Sequence, residues 1–434
     1  MLSLFGVVRP GEGATALLML LNIFLLLTAY YIIKPVREAL ILGEAGAEIK
    51  SYASAAQAAL LLVIVPVYGF WASRLNRVWL INGITALFIT NLAAFYALGR
   101  FGVPLGIPFY LWVGLFNVLL VTQFWALAND IYTEGRGERL FGVIGVGASL
   151  GSIAGAFLAR RLFEPAGPYA MMLVSAILLA CSMILTVWIH HREEGAIREA
   201  IAETPSAQFE RPLAAMGGFQ LVFRSRYLFL IALLVVISNC VNTTGEFILG
   251  KTVAQAAQVA THGSLDQTLA VRNYIGRFYA DFFFWVNVIG AGLQMFVVSR
   301  LMQFWGTGRS LLLLPFIALG GYTMLALAPV LGLIRITKIA ENTVDYSIQN
   351  TGKNALFLST SRSAKYKAKT AIDSFFWRMG DALSGLFVFA GTQWALSTKT
   401  FAAVNVGLIV VWITVVIALS RRRTEESVSE PVAA

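Results

Sequence analysis

Charged residues are scarce in this chain. They make up 13% of its 434 residues, while 58% of the residues are hydrophobic; in an ordinary soluble domain about 25% are charged. A large soluble core does not explain this shortage, because a soluble surface needs charge wherever it meets water. The composition therefore predicts an integral membrane protein, much of whose surface contacts the lipid bilayer.

Cysteine and histidine are also rare. The two cysteines, Cys181 and Cys240, lie inside apolar stretches and adjoin no cysteine-rich loop, which argues against a disulfide framework or a zinc site. The three histidines lie at span ends or in loops, without a metal-ligand or triad partner at a useful spacing. We therefore expect no metal, no cofactor and no catalytic residue, and we interpret the chain as a membrane transporter and not an enzyme.

Basic residues outnumber acidic ones by 33 to 23, which gives a formal net charge of +10. They are spread over short loops, a distribution that fits anionic lipid headgroups better than nucleic acid, so we expect no nucleic-acid partner. The loops on one side of the predicted spans hold more lysine and arginine than those on the other. The positive-inside tendency predicts that the richer side, with both termini, is cytoplasmic.

Apolar stretches long enough to form transmembrane helices recur twelve times, since a span needs about 20 apolar residues. The first stretch is too long for a signal peptide and is expected to remain as a span. The predicted bounds are Ala14–Leu42, Ser51–Ser73, Val78–Leu98, Tyr110–Ile131, Leu140–Leu162, Tyr169–His190, Tyr227–Gly250, Phe278–Leu301, Leu311–Leu331, Leu333–Phe357, Ile372–Leu396 and Phe401–Leu419.

This pattern predicts an all-α polytopic membrane protein with two six-helix, pseudo-symmetric halves. The halves cover 1–190 and 227–420, joined by a polar cytoplasmic connector at 191–226 and followed by a cytoplasmic tail at 421–434. Such an organisation resembles the major facilitator architecture, in which the two halves rock around a central site. Overlapping small-residue spacings in the fifth span, which includes Gly145, Gly147, Gly151 and Gly155, further predict a close helix–helix approach.

Polar and ionisable residues inside the spans are the main candidates for function, because charge is costly in a membrane. They gather on spans one, four, seven and ten at helical-face spacings of three and four. In a facilitator-type bundle these four spans line the cavity. The candidate substrate-binding residues are Tyr30, Lys34, Arg37, Glu38, Asn239, Asn242, Glu246, Lys338, Asn342, Asp345 and Lys353. The candidate gate or ion-pair residues are Asp130, Arg139, Arg378 and Asp381.

Some of these residues have structural alternatives. Lys34, Arg37 and Glu38 would also suit a role as interfacial anchors that snorkel, and Asp130 would suit a loop brace paired with a basic residue such as Arg139. The charges assigned to the cavity balance, since four cations face four carboxylates: Lys34, Arg37, Lys338 and Lys353 against Glu38, Glu246, Glu341 and Asp345. Charge alone thus predicts a charged or zwitterionic solute without choosing its sign.

Four segments together resemble a known family of carriers. They are Tyr31–Leu42, Phe124–Ser149, Gly218–Gly250 and, most distinctive, Glu341–Asp381 with the sequence ENTVDYSIQNTGKNALFLSTSRSAKYKAKTAIDSFFWRMGD. These segments resemble the nucleotide transporter family of ATP/ADP translocases, of the type found in plastids and intracellular bacteria, and especially its bacterial relatives. The resemblance implies a facilitator-like fold in a bacterial inner membrane. It also implies exchange of ATP for ADP or phosphate by alternating access, with a nucleotide as the small anionic substrate.

The resemblance also implies roles for individual residues. The family's basic residue late in span one falls on Arg37, its acidic residue in span seven on Glu246, and its basic residue in span ten on Lys353. Position 37 is lysine in the nucleotide exchangers, and a further acidic position falls on Arg136, which reverses the sign. These departures concern the cargo and not transport itself. Two alternatives to nucleotide exchange stay open. One is a proton-coupled carrier of another organic anion or amphipathic metabolite, and the other, from a different class, is a non-transporting membrane scaffold.

Overall fold

The computed structural model describes residues 12–72, 74–132, 134–203, 215–357, 360 and 367–429. Within this part of the chain the regular structure is helical, with no β-strand. In chain order the helices are α1 (Gly13–Glu44), α2 (Gly46–Ala72), α3 (Arg77–Arg100), α4 (Gly106–Ile131), α5 (Glu134–Glu203), α6 (Ala215–Arg224), α7 (Arg226–Ala260), α8 (Gln267–Phe296), α9 (Val298–Ser310), α10 (Leu313–Leu327), α11 (Leu331–Val344), α12 (Asn350–Leu356), α13 (Lys369–Ala371), α14 (Trp377–Gln393) and α15 (Thr398–Ser429).

Helices occupy each of the twelve predicted spans, which confirms the all-α polytopic fold. By length and composition, seven helices of the described chain could cross a membrane, or eight if α8 and α9, bent by 77°, form one span. One of the seven is the stretch Arg139–Glu193 of α5, which breaks at Gly167, where φ is 74°. Because only glycine adopts such a φ readily, Gly167 marks the predicted turn between the fifth and sixth spans.

Two differences from the predicted bounds concern the polar ends of the helices. Helix α7 continues to Ala260 and α8 begins at Gln267, so both extend beyond their apolar stretches. The predicted connector at 191–226 lies partly outside the described residues, at 204–214, and its described parts belong to α5, α6 and α7. Residues 430–434 of the predicted tail also lie outside.

In the described residues, π-helical turns occur within the predicted fourth, tenth and eleventh spans. The turns are Asn117–Val121 inside α4, Asp345–Gln349 between α11 and α12, and Ile372–Phe376 between α13 and α14. A π turn inserts an extra residue into a helix and is frequent at functional sites. Side chains beyond such a turn therefore face a different direction from the one that a regular helical spacing predicts.

The chain divides into two compact units. The first contains the described residues of Met1–Gly46, Ala59–Ala207 and Ala257–Asn287, and the second those of Ala47–Ala58, Gln208–Ala256 and Val288–Ala434. Each unit thus combines one half of the sequence with a segment from the other half.

Close packing of α1 against α5 organises the first unit. A Cβ atom on Gly147, Gly151 or Gly155 would lie within 3.0 Å of a backbone carbonyl oxygen of α1, whereas one on Gly145 would meet nothing within 4 Å. Three of the predicted small-residue positions therefore allow the two backbones to approach each other.

Ion pairs join the start of α8 to the rest of the first unit. Arg272 donates hydrogen bonds from Nη2 to Glu44 Oε1 at 2.9 Å and from Nη1 to the Tyr169 hydroxyl at 2.8 Å. Arg277 Nη1 contacts Glu164 Oε2 at 2.7 Å, with both side chains more than 60% exposed (63% and 66%). The polar beginning of α8 is thus fixed by charged contacts, which explains why the helix begins before its apolar stretch.

Candidate functional site

Arg37 of α1 lies in the first unit beside its neighbour Glu38. Its Nε donates to Glu38 Oε1 at 3.0 Å, and its guanidinium carbon lies 4.9 Å from the centre of the Tyr110 ring. The Arg37 side chain is 16% exposed and that of Glu38 is 1% exposed. A guanidinium carries five N–H donors in a planar fork, and two of the nitrogens of Arg37, Nε and Nη2, donate to the same oxygen of Glu38.

Lys34, one turn earlier in α1, lies among aromatic rings. Its Nζ is 4.2 Å from the ring centre of Phe283 and 4.7 Å from that of Tyr31, and the residue is 7% exposed. Tyr30 stacks on Phe116 with ring centres 5.2 Å apart. The Lys34 ammonium thus lies at cation–π distance from two rings.

The predicted gate residue Arg139 binds a partner that the sequence analysis did not select. Its Nη2 donates to Glu12 Oε1 at 3.1 Å, and Arg136 Nε lies 3.3 Å from the same oxygen. Nearby, burial raises the pKa of the Tyr132 phenol to about 12. Asp130 is half-buried at the end of α4. The start of α1 and the junction of α4 with α5 therefore share one charged cluster in the first unit.

Lys338 of α11 forms the centre of a buried network in the second unit. The residue is fully buried (0% exposed), and its Nζ donates to Asn242 Oδ1 at 2.7 Å and to Glu341 Oε2 at 2.9 Å. The Tyr322 hydroxyl donates to the same Glu341 oxygen at 3.0 Å, and Glu246 Oε1 lies 3.6 Å from Lys338 Nζ. The structure therefore brings Asn242, Glu246 and Lys338 together, as their assignment to one site requires.

Glu246 is the most exposed carboxylate of this network. Its side chain is 26% exposed, and its Oε1 accepts a hydrogen bond from Asn342 Nδ2 at 3.3 Å. Its Oε2 lies 3.7 Å from Lys50 Nζ. Lys50 directly precedes the predicted span Ser51–Ser73, so the sequence places it in a loop. The structure places it in α2, which begins at Gly46, and it is only 6% exposed.

Asp381 of α14 forms a second polar cluster in the same unit. Its Oδ1 accepts from Asn239 Nδ2 and from Thr243 Oγ1, each at 2.9 Å, and its Oδ2 accepts from Arg378 Nη1 at 3.3 Å. Asn239 Nδ2 also donates to the backbone oxygen of Trp377 at 2.7 Å. The pair Arg378–Asp381, predicted as a gate, therefore lies within one helix, and Asn239 joins α7 to it.

A cavity of about 540 Å³ lies between the ends of α12, α13 and α14 in the second unit. Within it, Lys353 Nζ lies 4.5 Å from the centre of the Trp377 ring, and Lys369 Nζ contacts Asp373 Oδ2. The residues that line it are Asp345, Tyr346, Asn350, Lys353, Asn354, Lys369, Asp373 and Trp377. Two of the predicted site residues, Asp345 and Lys353, thus share a cavity with Trp377 and Lys369, which the sequence analysis did not select.

The predicted substrate-binding residues fall into two sets. Tyr30, Lys34, Arg37 and Glu38 lie in the first unit, and the others, from Asn239 to Lys353, lie in the second. Inside the second unit, Lys338 does not line the cavity of Lys353 and Trp377. Asp345 lines both this cavity and a small cleft that Asn242 and Glu341 also line.

Comparison with known proteins concerns the family and the fold. The family model of the Major Facilitator Superfamily matches residues 17–340. ADP,ATP carrier protein 1 of Chlamydia trachomatis is 24% identical over 339 residues, which is 69% of this chain and 61% of that protein. ADP,ATP carrier protein 3 of Rickettsia conorii is 21% identical over 365 residues, or 73% and 70% of the two chains.

A solved structure shares the fold at lower sequence identity. The nucleoside transporter NupG is 10% identical, with a TM-score of 0.66 over 93% of this chain and 98% of that one. The chain spans about three fifths of the length of the chlamydial carrier (61%).

Proposed function

The chain belongs to the major facilitator superfamily, and on that premise we propose that it is a secondary transporter that exchanges nucleotides by alternating access. The relatives named as ADP,ATP carriers support an adenine nucleotide as the anionic substrate. The structural observation that carries the proposal is the buried network of Lys338, Glu341, Glu246 and Asn242. Intramembrane ionisable groups are costly and mark substrate or ion pathways.

The charges of the network explain why exchange suits this protein. A buried charge that loses its partner is strongly destabilising, and in the structure Lys338 contacts two carboxylates and an amide. A substrate that draws a cation away from its carboxylate must supply a negative charge of its own. We therefore expect the carrier to reorient more readily with an anion bound than when it is empty. This difference favours exchange over net transport.

Arg37 and Lys353 are the cations that we assign to phosphate. Arg37 presents a planar fork that suits two phosphate oxygens, whereas Lys353 presents a point charge. Tyr30 of the first unit, and Asn239 and Asn242 of the second, remain candidates for ribose or base contacts. Localisation in a bacterial inner membrane, with both termini in the cytoplasm, is part of the same proposal and rests on the distribution of lysine and arginine in the loops.

Counterflow in proteoliposomes tests the proposal. Labelled ATP supplied outside should accumulate in liposomes preloaded with ADP and not in liposomes without nucleotide. Arg37→Gln and Lys353→Gln should each slow this uptake, whereas Lys399→Gln, which changes an exposed lysine, should leave it unchanged. Absence of counterflow at every internal ADP concentration would rule out nucleotide exchange.

The second candidate function is a proton-coupled carrier of another organic anion. It is favoured by the position of Glu246, which is partly exposed and lies within 4 Å of two lysines, at 3.7 and 3.6 Å. In this case a pH gradient alone should drive uptake, and Glu246→Gln should abolish the proton-driven component. Uptake that follows internal nucleotide and ignores the pH gradient would exclude this candidate.

A thermal-shift screen separates either carrier from a membrane scaffold. A ligand that binds only the folded state raises the apparent stability by an amount that grows with its concentration. A carrier should therefore be stabilised by its substrate. A scaffold should unfold at the same temperature with and without nucleotides.

A further inference from the structure

We propose that the indole ring of Trp377 is the surface on which the base of the substrate stacks, and that Lys369 joins Lys353 in binding its phosphates. This inference rests on the proposed nucleotide specificity and adds the position of the base. All three residues line the cavity of about 540 Å³ in the second unit. That volume lies within the range of about 300–1,000 Å³ that is usual for small-molecule sites.

The ring of Trp377 already attracts a charged group. Lys353 Nζ lies 4.5 Å from its centre, an arrangement that a cation adopts over the electron-rich face of an indole. A phosphate that binds Lys353 would draw the ammonium off the ring. The uncovered face would then accept a flat, electron-poor base, so phosphate binding and base stacking would reinforce each other.

The backbone beside Trp377 is held in place before any substrate arrives. Asn239 of α7 donates a hydrogen bond to the Trp377 carbonyl oxygen at 2.7 Å and another to Asp381 Oδ1 at 2.9 Å. Trp377 follows directly after the π turn Ile372–Phe376. A backbone that is fixed in advance leaves less of the chain to be ordered on binding, which suits a segment that carries an aromatic platform.

The charges of the cavity match a molecule with a polar and an aromatic end. Two lysines, Lys353 and Lys369, line the cavity together with Asp345 and Asp373, and Lys369 forms an ion pair with Asp373. The lysine ammonium groups can donate to phosphate oxygens, and Asn350 and Asn354 offer amides for hydroxyl groups. An inorganic polyphosphate would use the lysines alone, whereas a nucleotide would also use the ring.

A binding experiment distinguishes these two modes. Displacement of labelled ATP from the purified protein is measured with unlabelled ATP and with tripolyphosphate. Trp377→Leu should weaken ATP binding about tenfold or more, since base–aromatic stacking contributes that much, and should leave tripolyphosphate binding unchanged. Trp377→Phe should retain most of the ATP affinity. Trp394→Leu, which changes a tryptophan that is 74% exposed, is the matched control and should behave as the wild type.

Photolabelling of the unaltered chain gives a second measurement that does not depend on a variant. 8-Azidoadenosine triphosphate should label the peptide that contains Trp377, and excess ATP should suppress the label. The inference is overturned if Trp377→Leu weakens ATP and tripolyphosphate equally, or weakens neither, or if the label falls elsewhere and not on that peptide. If the wild type binds tripolyphosphate but no nucleotide, the proposed nucleotide specificity fails and the inference fails with it.

Discussion

Replacement of Lys338 by methionine tests whether the buried network of the second unit depends on its ammonium group. Lys338→Met keeps the length and flexibility of the side chain but removes a cation that is fully buried (0% exposed). It also removes the donors to Asn242 Oδ1 at 2.7 Å and to Glu341 Oε2 at 2.9 Å. Glu341 is 2% exposed, so bulk water does not solvate its carboxylate in the structure.

The expected loss follows from what remains around Glu341. Its Oε2 keeps the hydrogen bond from the Tyr322 hydroxyl, which is a neutral donor. Removal of one partner of a buried ion pair costs about 3–5 kcal/mol, whereas replacement of both partners by apolar groups of similar volume is often neutral or stabilising. Lys338→Met should therefore destabilise the fold by about 3–5 kcal/mol, and the double variant Lys338→Met/Glu341→Leu should recover most of that loss.

Thermal unfolding of the purified protein in detergent measures this loss. For a unit of this size each kcal/mol corresponds to about 2–4 °C in Tm, so Lys338→Met should lower Tm by about 10 °C. Lys399→Met, in which an exposed lysine is changed, should shift Tm by no more than about 2 °C, since surface substitutions stay within about 0.5 kcal/mol. The reasoning is refuted if Lys338→Met unfolds at the wild-type temperature, or if the double variant is no more stable than the single one.

Two further predictions concern the first unit. Gly151→Ala should lower Tm clearly, because a Cβ there would meet the backbone of α1, whereas Gly145→Ala, with nothing within 4 Å of its Cβ, should be neutral or stabilising by up to about 1 kcal/mol; equal effects of the two would contradict the packing argument. Arg272→Gln should cost about 1.5–3 kcal/mol, since its charged hydrogen bond to Glu44 is largely shielded from water. Arg277→Gln, at a pair more than 60% exposed (63% and 66%), should cost under about 1 kcal/mol, and thermal unfolding of both variants compares them.

The fold was largely predictable because membrane spans depend on long apolar stretches. All twelve stretches are helical, and the turn between the fifth and sixth spans lies at Gly167. The ends were less predictable, because polar residues such as Arg272 extend α8 outside the apolar stretch by means of ion pairs that only the tertiary structure reveals. Segment 47–58 belongs to the second unit and segment 257–287 to the first. No local feature of the sequence predicts either assignment.

The candidate site was predictable in composition but not in arrangement. The spacing of Lys338, Asn342, Asp345 and Lys353 predicted a single helix face, yet a π turn at Asp345–Gln349 changes the phase within this stretch. Lys338 is fully buried (0% exposed), whereas Asp345 and Lys353 line a cavity. Trp377 escaped notice because an aromatic residue in an apolar span carries no signal until its neighbours are known.

The Lys338 network contains a buried ion pair whose contribution to stability can be separated from its contribution to function. Gly245 is part of the same arrangement, because a Cβ there would collide with the Tyr322 hydroxyl that donates to Glu341. A buried ion pair is weak evidence for stability, since apolar replacements of similar volume are often as stable. If Lys338→Met/Glu341→Leu folds as well as the wild type, the stability of the unit does not require the pair, and the proposed function assigns the pair to the substrate. The proposed function then requires that this double variant, although stable, show no ATP/ADP counterflow.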